Sequence, residues 1–318
     1  MLIRTSFFFG GIIAVSLLFH PIAQATLNEF DISNSLVRLE EFILGGPGKD
    51  DIPALANPAF VSAADGKLKK NELVIGVSLG TVAKAYPIRI MNWHEIVNDT
   101  VRLVTPKGIT EQPIAVTWCP LTKSAFVFER RVEGEMLEFG VSGMLYNNNL
   151  VMYDRTSNSL WPQLMQGAAT GRYVSRRLAS IPAMVVTWEM WKELHPETLV
   201  LSQKTGYLKN YRRDPYSVYH ENAIVFFPLS DVDKRLPLKT PVIGISIDGV
   251  SKAYPLTLLA GTPQPIADTV ADSPIRVYAL SEDIAYITDA AGRLLPGVTM
   301  YWFGWNAFHK NSEIYEKP

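Results

Sequence analysis

Val74 to Ile88 reads VIGVSLGTVAKAYPI, and Val242 to Leu256 reads VIGISIDGVSKAYPL. The two align without gaps, and nine of fifteen positions are identical. Each reads as two β-rich runs about a tight turn, Gly80-Thr81 in one and Asp248-Gly249 in the other, because Asp-Gly supplies the positive φ angles a hairpin needs. Two further matches follow in the same order. Asn98-Asp99-Thr100-Val101 answers Ala267-Asp268-Thr269-Val270, and Trp188-x-x-Trp191-x-x-x-His195 answers Trp302-x-x-Trp305-x-x-x-His309. A unit of this size is outside the range of the short solenoid repeats and points to a tandem duplication.

The copies differ in length. Val74 to Trp188 is 114 residues, whereas Val242 to Trp302 is 60, so the second copy is truncated by about 54, chiefly opposite residues 139–178. Material present in only one copy of a duplicated scaffold is a natural place for function, and an extension of a sheet is the plainer alternative. Working outward, residues 1–25 read as a signal peptide, 26–70 as an N-terminal arm, 71–210 as the first copy carrying the candidate site, 211–237 as a connector and 238–318 as the shorter second copy. The fold class is α+β, mostly antiparallel β-sheet with short helices. Strands are expected at 114–118, 125–130, 136–141, 150–153 and 198–202, a helix capped by Thr187 and ended by Pro196, and a helix from Ser35 through Ile43.

The N-terminus, MLIRTSFFFGGIIAVSLLFHPIAQA, has one charge, a short apolar run and a small-x-small Ala23-Gln24-Ala25, which is the pattern of a cleaved export signal. The mature chain is then expected outside the cytoplasmic membrane, periplasmic or extracellular, with no later span. Without Arg4 it has 29 basic and 31 acidic residues, a net of −2, which gives no footprint for nucleic acid. A small molecule, a metal or an envelope component is the expected class of partner. The single cysteine excludes an intramolecular disulfide.

Chemistry-bearing residues gather in and beside the insert. His195 and His309 occupy matching helix ends and read as structural; His94 has no counterpart and reads as functional, with His220 in the connector a further candidate. His94-Glu95 fails the His-Glu-x-x-His zinc pattern because position 98 is Asn98. Cys119, at a strand end before Pro120, reads as a buried small hydrophobe, a nucleophile or a soft-metal ligand, with Lys123 near enough in sequence to lower its pKa. Ser142 lacks the Gly-x-Ser-x-Gly spacing of a hydrolase elbow. Asn147, Asn148 and Asn149 form a natural left-handed turn and could present amides to a ligand. Tyr146, Tyr153 and Trp161 would then offer flat surfaces beside Gln163 and an Asp154–Arg155 ion pair.

The preferred function is soft-metal binding, copper first, by Cys119 and His94 with His220 or a methionine such as Met144 or Met152, since thiolate, imidazole and thioether together suit copper. The alternatives are an enzyme with Cys119 as nucleophile and His94 as base, and a non-catalytic glycan- or peptide-binding module using Tyr146, Asn147 to Asn149 and Trp161.

At GGPGKDDIP, AYPIRIMNWHEIVND, VTWCPL, FGVSGMLYNNNLVMYDR and SLWPQ the chain resembles an exported prokaryotic family catalogued as domain of unknown function 3179, across most of residues 40–310. The resemblance implies an extracytoplasmic protein and carries over no activity. Many relatives have a second cysteine three positions after the first; here that position is Thr122, which argues against dithiol–disulfide chemistry.

Overall fold

In a computed structural model the described residues are 26–27, 29–259 and 261–317; the signal-peptide expectation therefore lies outside them. The fold is mostly β-sheet, with antiparallel sheets and few short helices. The 74–88 stretch forms the hairpin Leu73–Leu79 and Val82–Pro87. Met184–Thr187 adds antiparallel on one side, Leu199–Leu201 adds parallel on the other, and Phe60–Ser62 completes a five-stranded sheet. The hairpin Pro241–Ile247 and Val250–Pro255 has neighbours of the same directions, Val298–Tyr301 antiparallel and Glu313–Ile314 parallel.

Packing across these two sheets also agrees. The expected helix forms as Trp188–Leu194, with Thr187 Oγ1 accepting the Met190 N–H at 3.3 Å. Trp191 then lies flat on Gly76, where a Cβ would fall 2.3 Å from the indole, and Trp305 on Trp302–Phe308 lies on Gly244 at the same 2.3 Å. Only a residue without a side chain permits that approach. Each indole N–H donates to a hydroxyl seven residues on, Thr198 Oγ1 at 2.9 Å and Ser312 Oγ at 2.7 Å.

Most of the remaining first-half strands form two larger sheets. Ile96–Thr105, Gly108–Cys119 and Ser124–Glu129 run antiparallel, with the short strands Leu55–Ala56 and Ser180–Ile181 at the edges. The corresponding sheet of the second half has three strands, Ile266–Val270, Ser273–Ala279 and Ala285–Asp289. The insert makes a sheet of its own: Phe139–Tyr146, Asn149–Asp154 and Leu160–Pro162, joined by Phe42–Leu44 from the arm. One buried cluster contains Ala115, Phe128, Met152 and Trp161 together with Val242, Trp302 and Trp305, so the insert sheet packs into a core to which both halves contribute.

The arm corrects one expectation. Instead of a helix over 35–43, a single 3-10 turn at Leu39–Glu41 leads into the strand Phe42–Leu44. Leu36 and Leu39, which with Ile43 would share one side of that helix, are exposed, while Phe42 is buried against the insert. Pairing with residues 144–146 satisfies this backbone and buries Phe42, which outweighs a weak local helix pattern. Among the described residues no helix is long and apolar enough to cross a membrane.

Candidate functional site

The helix Ile88–His94 ends at a sharp turn in which Glu95 has φ +57. The Glu95 N–H closes the helix on the Met91 carbonyl at 2.8 Å, and the strand Ile96–Thr105 starts at once. Positive φ is uncommon for a residue with a Cβ, and such strain persists where surrounding structure enforces it, often at sites. Here the Trp118 N–H holds the Glu95 carbonyl at 2.8 Å. The turn sends the carboxyl inward, where it is 7 % exposed.

Glu95 lines a cavity of about 340 Å³ together with Cys119, Leu121, Met144, Tyr216 and Tyr219. The walls are largely apolar, and the connector supplies one of them through Pro215, Tyr216, Tyr219, Phe226 and Phe227. Burial pushes the Glu95 carboxyl up to about 7, against the Tyr216 hydroxyl, which donates to Oε1 at 3.1 Å and favours the charged form. No other hydrogen bond to the carboxyl is present among the described residues. Cys119 ends the strand Gly108–Cys119 and is buried. Its Sγ accepts the Leu150 N–H at 3.4 Å and faces the Asn148 carbonyl at 3.8 Å. Burial and then the Glu95 charge raise its pKa, while hydrogen bonds from Thr122 and Leu150 lower it.

His94 is committed elsewhere. Nδ1 lies 2.7 Å from the Pro53 carbonyl, which can only accept, so Nδ1 carries the proton and Nε2 accepts from the Tyr211 hydroxyl at 2.7 Å. Burial lowers its pKa, partly opposed by the Pro53 bond. The ring does not line the Cys119 cavity, and no hydrogen bond joins the two side chains. His220 sits on Ser217–Glu221 with Nδ1 3.3 Å from the Tyr301 hydroxyl, and burial followed by the Lys123 charge takes it down to about 4. Among the described residues no group of three or more His, Cys, Asp or Glu side chains could hold a metal ion, so the His94–Cys119–His220 ligand set does not assemble. Nor does Lys123 act on the thiol: its Nζ pairs with Asp283 at 2.8 Å, across to the second half.

The insert residues are mostly structural in placement. Asn147 and Asn148 have φ 50 and 59, as a tight turn demands, and tether the connector. Asn148 accepts the Phe227 N–H at 3.0 Å and donates to the Phe227 and Pro228 carbonyls, and Asn147 Oδ1 accepts from Ser230. Asn149 joins a buried polar network in which Gln163 Oε1 accepts its amide at 2.9 Å and the Ser124 hydroxyl at 2.7 Å, while Gln163 Nε2 donates to Thr117. Ser142 donates to the Val151 carbonyl at a bulge.

The Asp154–Arg155 pair does not form. Asp154 accepts from Trp161 Nε1 at 2.9 Å and from Ser157, whereas Arg155 pairs with Asp50 at 2.7 Å and Glu138 at 3.1 Å. The strand Asn149–Asp154 ends between them, and Arg155 in the following turn is drawn to Asp50 and Glu138. Trp161 is 0 % exposed, edge-on to Phe139, and offers no stacking surface; Tyr153 is buried too. Tyr146 packs against Phe42 and Phe308.

Sequence reasoning missed Glu95 as a site residue, having tested it only against a zinc motif, and missed Tyr216. The signal available was the aromatic run Tyr211, Tyr216, Tyr219 and His220 in the connector.

The family model described as "Protein of unknown function (DUF3179)" matches residues 49–294. The chain belongs to this family. The DUF3179 match covers the helix–strand turn at Glu95, the Cys119 strand, the insert sheet and the connector, so the whole cavity wall beyond Pro47 lies inside it. No curated protein and no solved structure matches the chain.

Proposed function

We propose that this DUF3179 protein is an exported protein that takes a small, mainly apolar molecule with an electrophilic carbon into the Glu95–Cys119 cavity. Cys119 is its nucleophile and Glu95 its acid–base. The observation that supports this is the shared cavity: a carboxyl poised near neutral pH opens onto the same apolar space as the one thiol. In the reaction the Cys119 thiol gives up its proton to the Glu95 carboxylate, the sulfur adds to the electrophilic carbon of an activated double bond, and the carbon that receives the displaced π pair takes the proton back from Glu95. A base with a pKa near the working pH is efficient at such transfer. Glu95 replaces His94 in this role because the His94 nitrogens are both taken.

N-ethylmaleimide, itself a small and mainly apolar electrophile, tests the assignment on the purified chain. Native Cys119 should be alkylated, with a shoulder near pH 7 in the rate profile as Glu95 ionises, and Glu95→Gln should remove the shoulder. A thiol that reacts only after unfolding, or a profile indifferent to Glu95→Gln, would overturn the proposal.

Copper binding has one supporting observation, that the Met144 thioether lines the same cavity as Cys119, giving two soft donors suited to Cu(I). Stoichiometric Cu(I) uptake that is lost in Cys119→Ser supports this second reading, and uptake that survives removes it. Export rests on residues 1–25 of the sequence. We infer a tandem duplication as the origin of the two halves, supported by the matching strand directions and the two tryptophan–glycine contacts.

A further inference from the structure

We propose that a second cleft, bounded by the 67–73 turn, the helix Ile88–His94 and residues 203–214, binds a small molecule carrying two or more phosphate-type oxyanion groups. The cleft encloses about 710 Å³ and is lined by four cations, Lys67, Lys69, Arg89 and Arg212, against two carboxylates, Glu72 and Asp214.

Both carboxylates are already engaged. Glu72 accepts the Lys69 backbone N–H through Oε2 and lies 3.2 Å from Arg89 Nε through Oε1. Asp214 Oδ1 accepts from Asn92 Nδ2 at 3.0 Å and from the Tyr216 N–H at 2.8 Å. Among the described residues Lys67, Lys69 and Arg212 have no ion-pair partner, and with Glu72 facing Arg89 and Asp214 held by neutral donors the concavity keeps a net of two positive charges. Arg89 is under-satisfied as well. Its Nε and Nη2 are buried and make no hydrogen bond, despite the nearby Glu72.

A concave site of one sign concentrates ligands of the other. The two arginines can each pair bidentately with phosphate oxygens, and a phosphate group brings more charge and more acceptor oxygens than a carboxylate. The cations come from three separate segments around a space larger than one phosphate, which selects for two linked groups. The chain as a whole is near neutral, with a net of −1, so the attraction is local to this cleft and does not extend to a nucleic-acid track. The cleft touches the Glu95 cavity through Asp214 and Tyr216, yet it shares no lining residue with the cavity and does not depend on Cys119.

Calorimetric titration of the purified chain with sodium pyrophosphate, metal-free and at low ionic strength, tests the inference. One-to-one binding is expected, weakening as salt rises. Arg89→Gln should lose at least about tenfold in affinity. A triple variant of exposed residues, Lys67→Gln, Lys69→Gln and Arg212→Gln, should lose as much while keeping the parent unfolding midpoint, so a folding defect cannot stand in for a lost site. Absence of pyrophosphate binding, or affinity unchanged in both variants, overturns the site. Orthophosphate binding as tightly as pyrophosphate overturns the two-group requirement, and citrate binding as tightly overturns the preference for phosphate.

Discussion

Asp99→Ala is expected to destabilise the protein by about 3–5 kcal/mol, the range found when one member of a buried ion pair is removed. Lys84 Nζ lies 2.7 Å from Asp99 Oδ2, with side chains only 9 % and 6 % exposed, and the Tyr86 hydroxyl donates to the same oxygen at 2.6 Å. Without the carboxylate the ammonium keeps a 3.4 Å approach to the Thr100 carbonyl and otherwise sits beside the Phe60 ring at 4.1 Å. A charge stranded in that way is costly, whereas an apolar pair of similar volume is not. Lys84→Met with Asp99→Leu should therefore recover most of the loss.

The second half supplies an internal control for this prediction. Lys252, Tyr254 and Asp268 repeat the triad, at 2.8 Å for both contacts, but the charged side chains are 15 % and 19 % exposed and Lys252 also has Glu313 at 3.8 Å. Water and a second carboxylate soften the loss there, so Asp268→Ala should cost roughly 1.5–3 kcal/mol, the scale of a hydrogen bond to a charged group. Urea unfolding of the variants gives the comparison. Equal losses below 1 kcal/mol for both would show that burial does not set the strength of these pairs.

The triad also marks how far the sequence could be read. Lys-Ala-Tyr-Pro and the Asp-Thr-Val that follows were both visible as repeated words, because β-rich runs and turn residues leave local traces. That the lysine and tyrosine of one word grip the aspartate of the other is a fact about adjoining strands, and no local pattern carries it. The same limit hid the glycine–tryptophan contacts, which join positions over a hundred residues apart in the first half. Phe42 was misread because Leu36, Leu39 and Ile43 imitate a helical face, and only the presence of residues 144–146 makes that segment a strand. The candidate site was half legible. Cys119 drew attention as the lone thiol beside residues 139–178, which have no counterpart in the second half, but Glu95 stands out only when the connector, 120 residues onward, packs above it. His94 and Trp161 drew attention as chemical groups, and both turn out to be saturated by neighbours that the sequence could not place.

Glu95→Gln should make the protein more stable above neutral pH and leave it unchanged in acid. An unfolded glutamate titrates near 4.3, whereas the folded carboxyl is held up to about 7, first by burial. Below about pH 4 both states bind the proton and the carboxyl exerts no pH-linked effect. As pH rises the unfolded chain releases the proton while the folded chain retains it, so the folded state loses relative stability until Glu95 itself ionises near 7; above that the loss is constant. A gap of this size corresponds to about 3–4 kcal/mol. Glutamine, close to isosteric and never charged, avoids it, so the difference between variant and parent in urea unfolding should grow from near zero at pH 4 to about 3–4 kcal/mol at pH 8. A difference independent of pH would mean that the carboxyl is solvated and not held up by burial. The same substitution should abolish the shoulder in Cys119 alkylation, and stability gained where reactivity is lost is the mark of a group retained for chemistry. A stabilised variant with undiminished alkylation would separate the two, leaving Glu95 buried but idle and Cys119 to act without it.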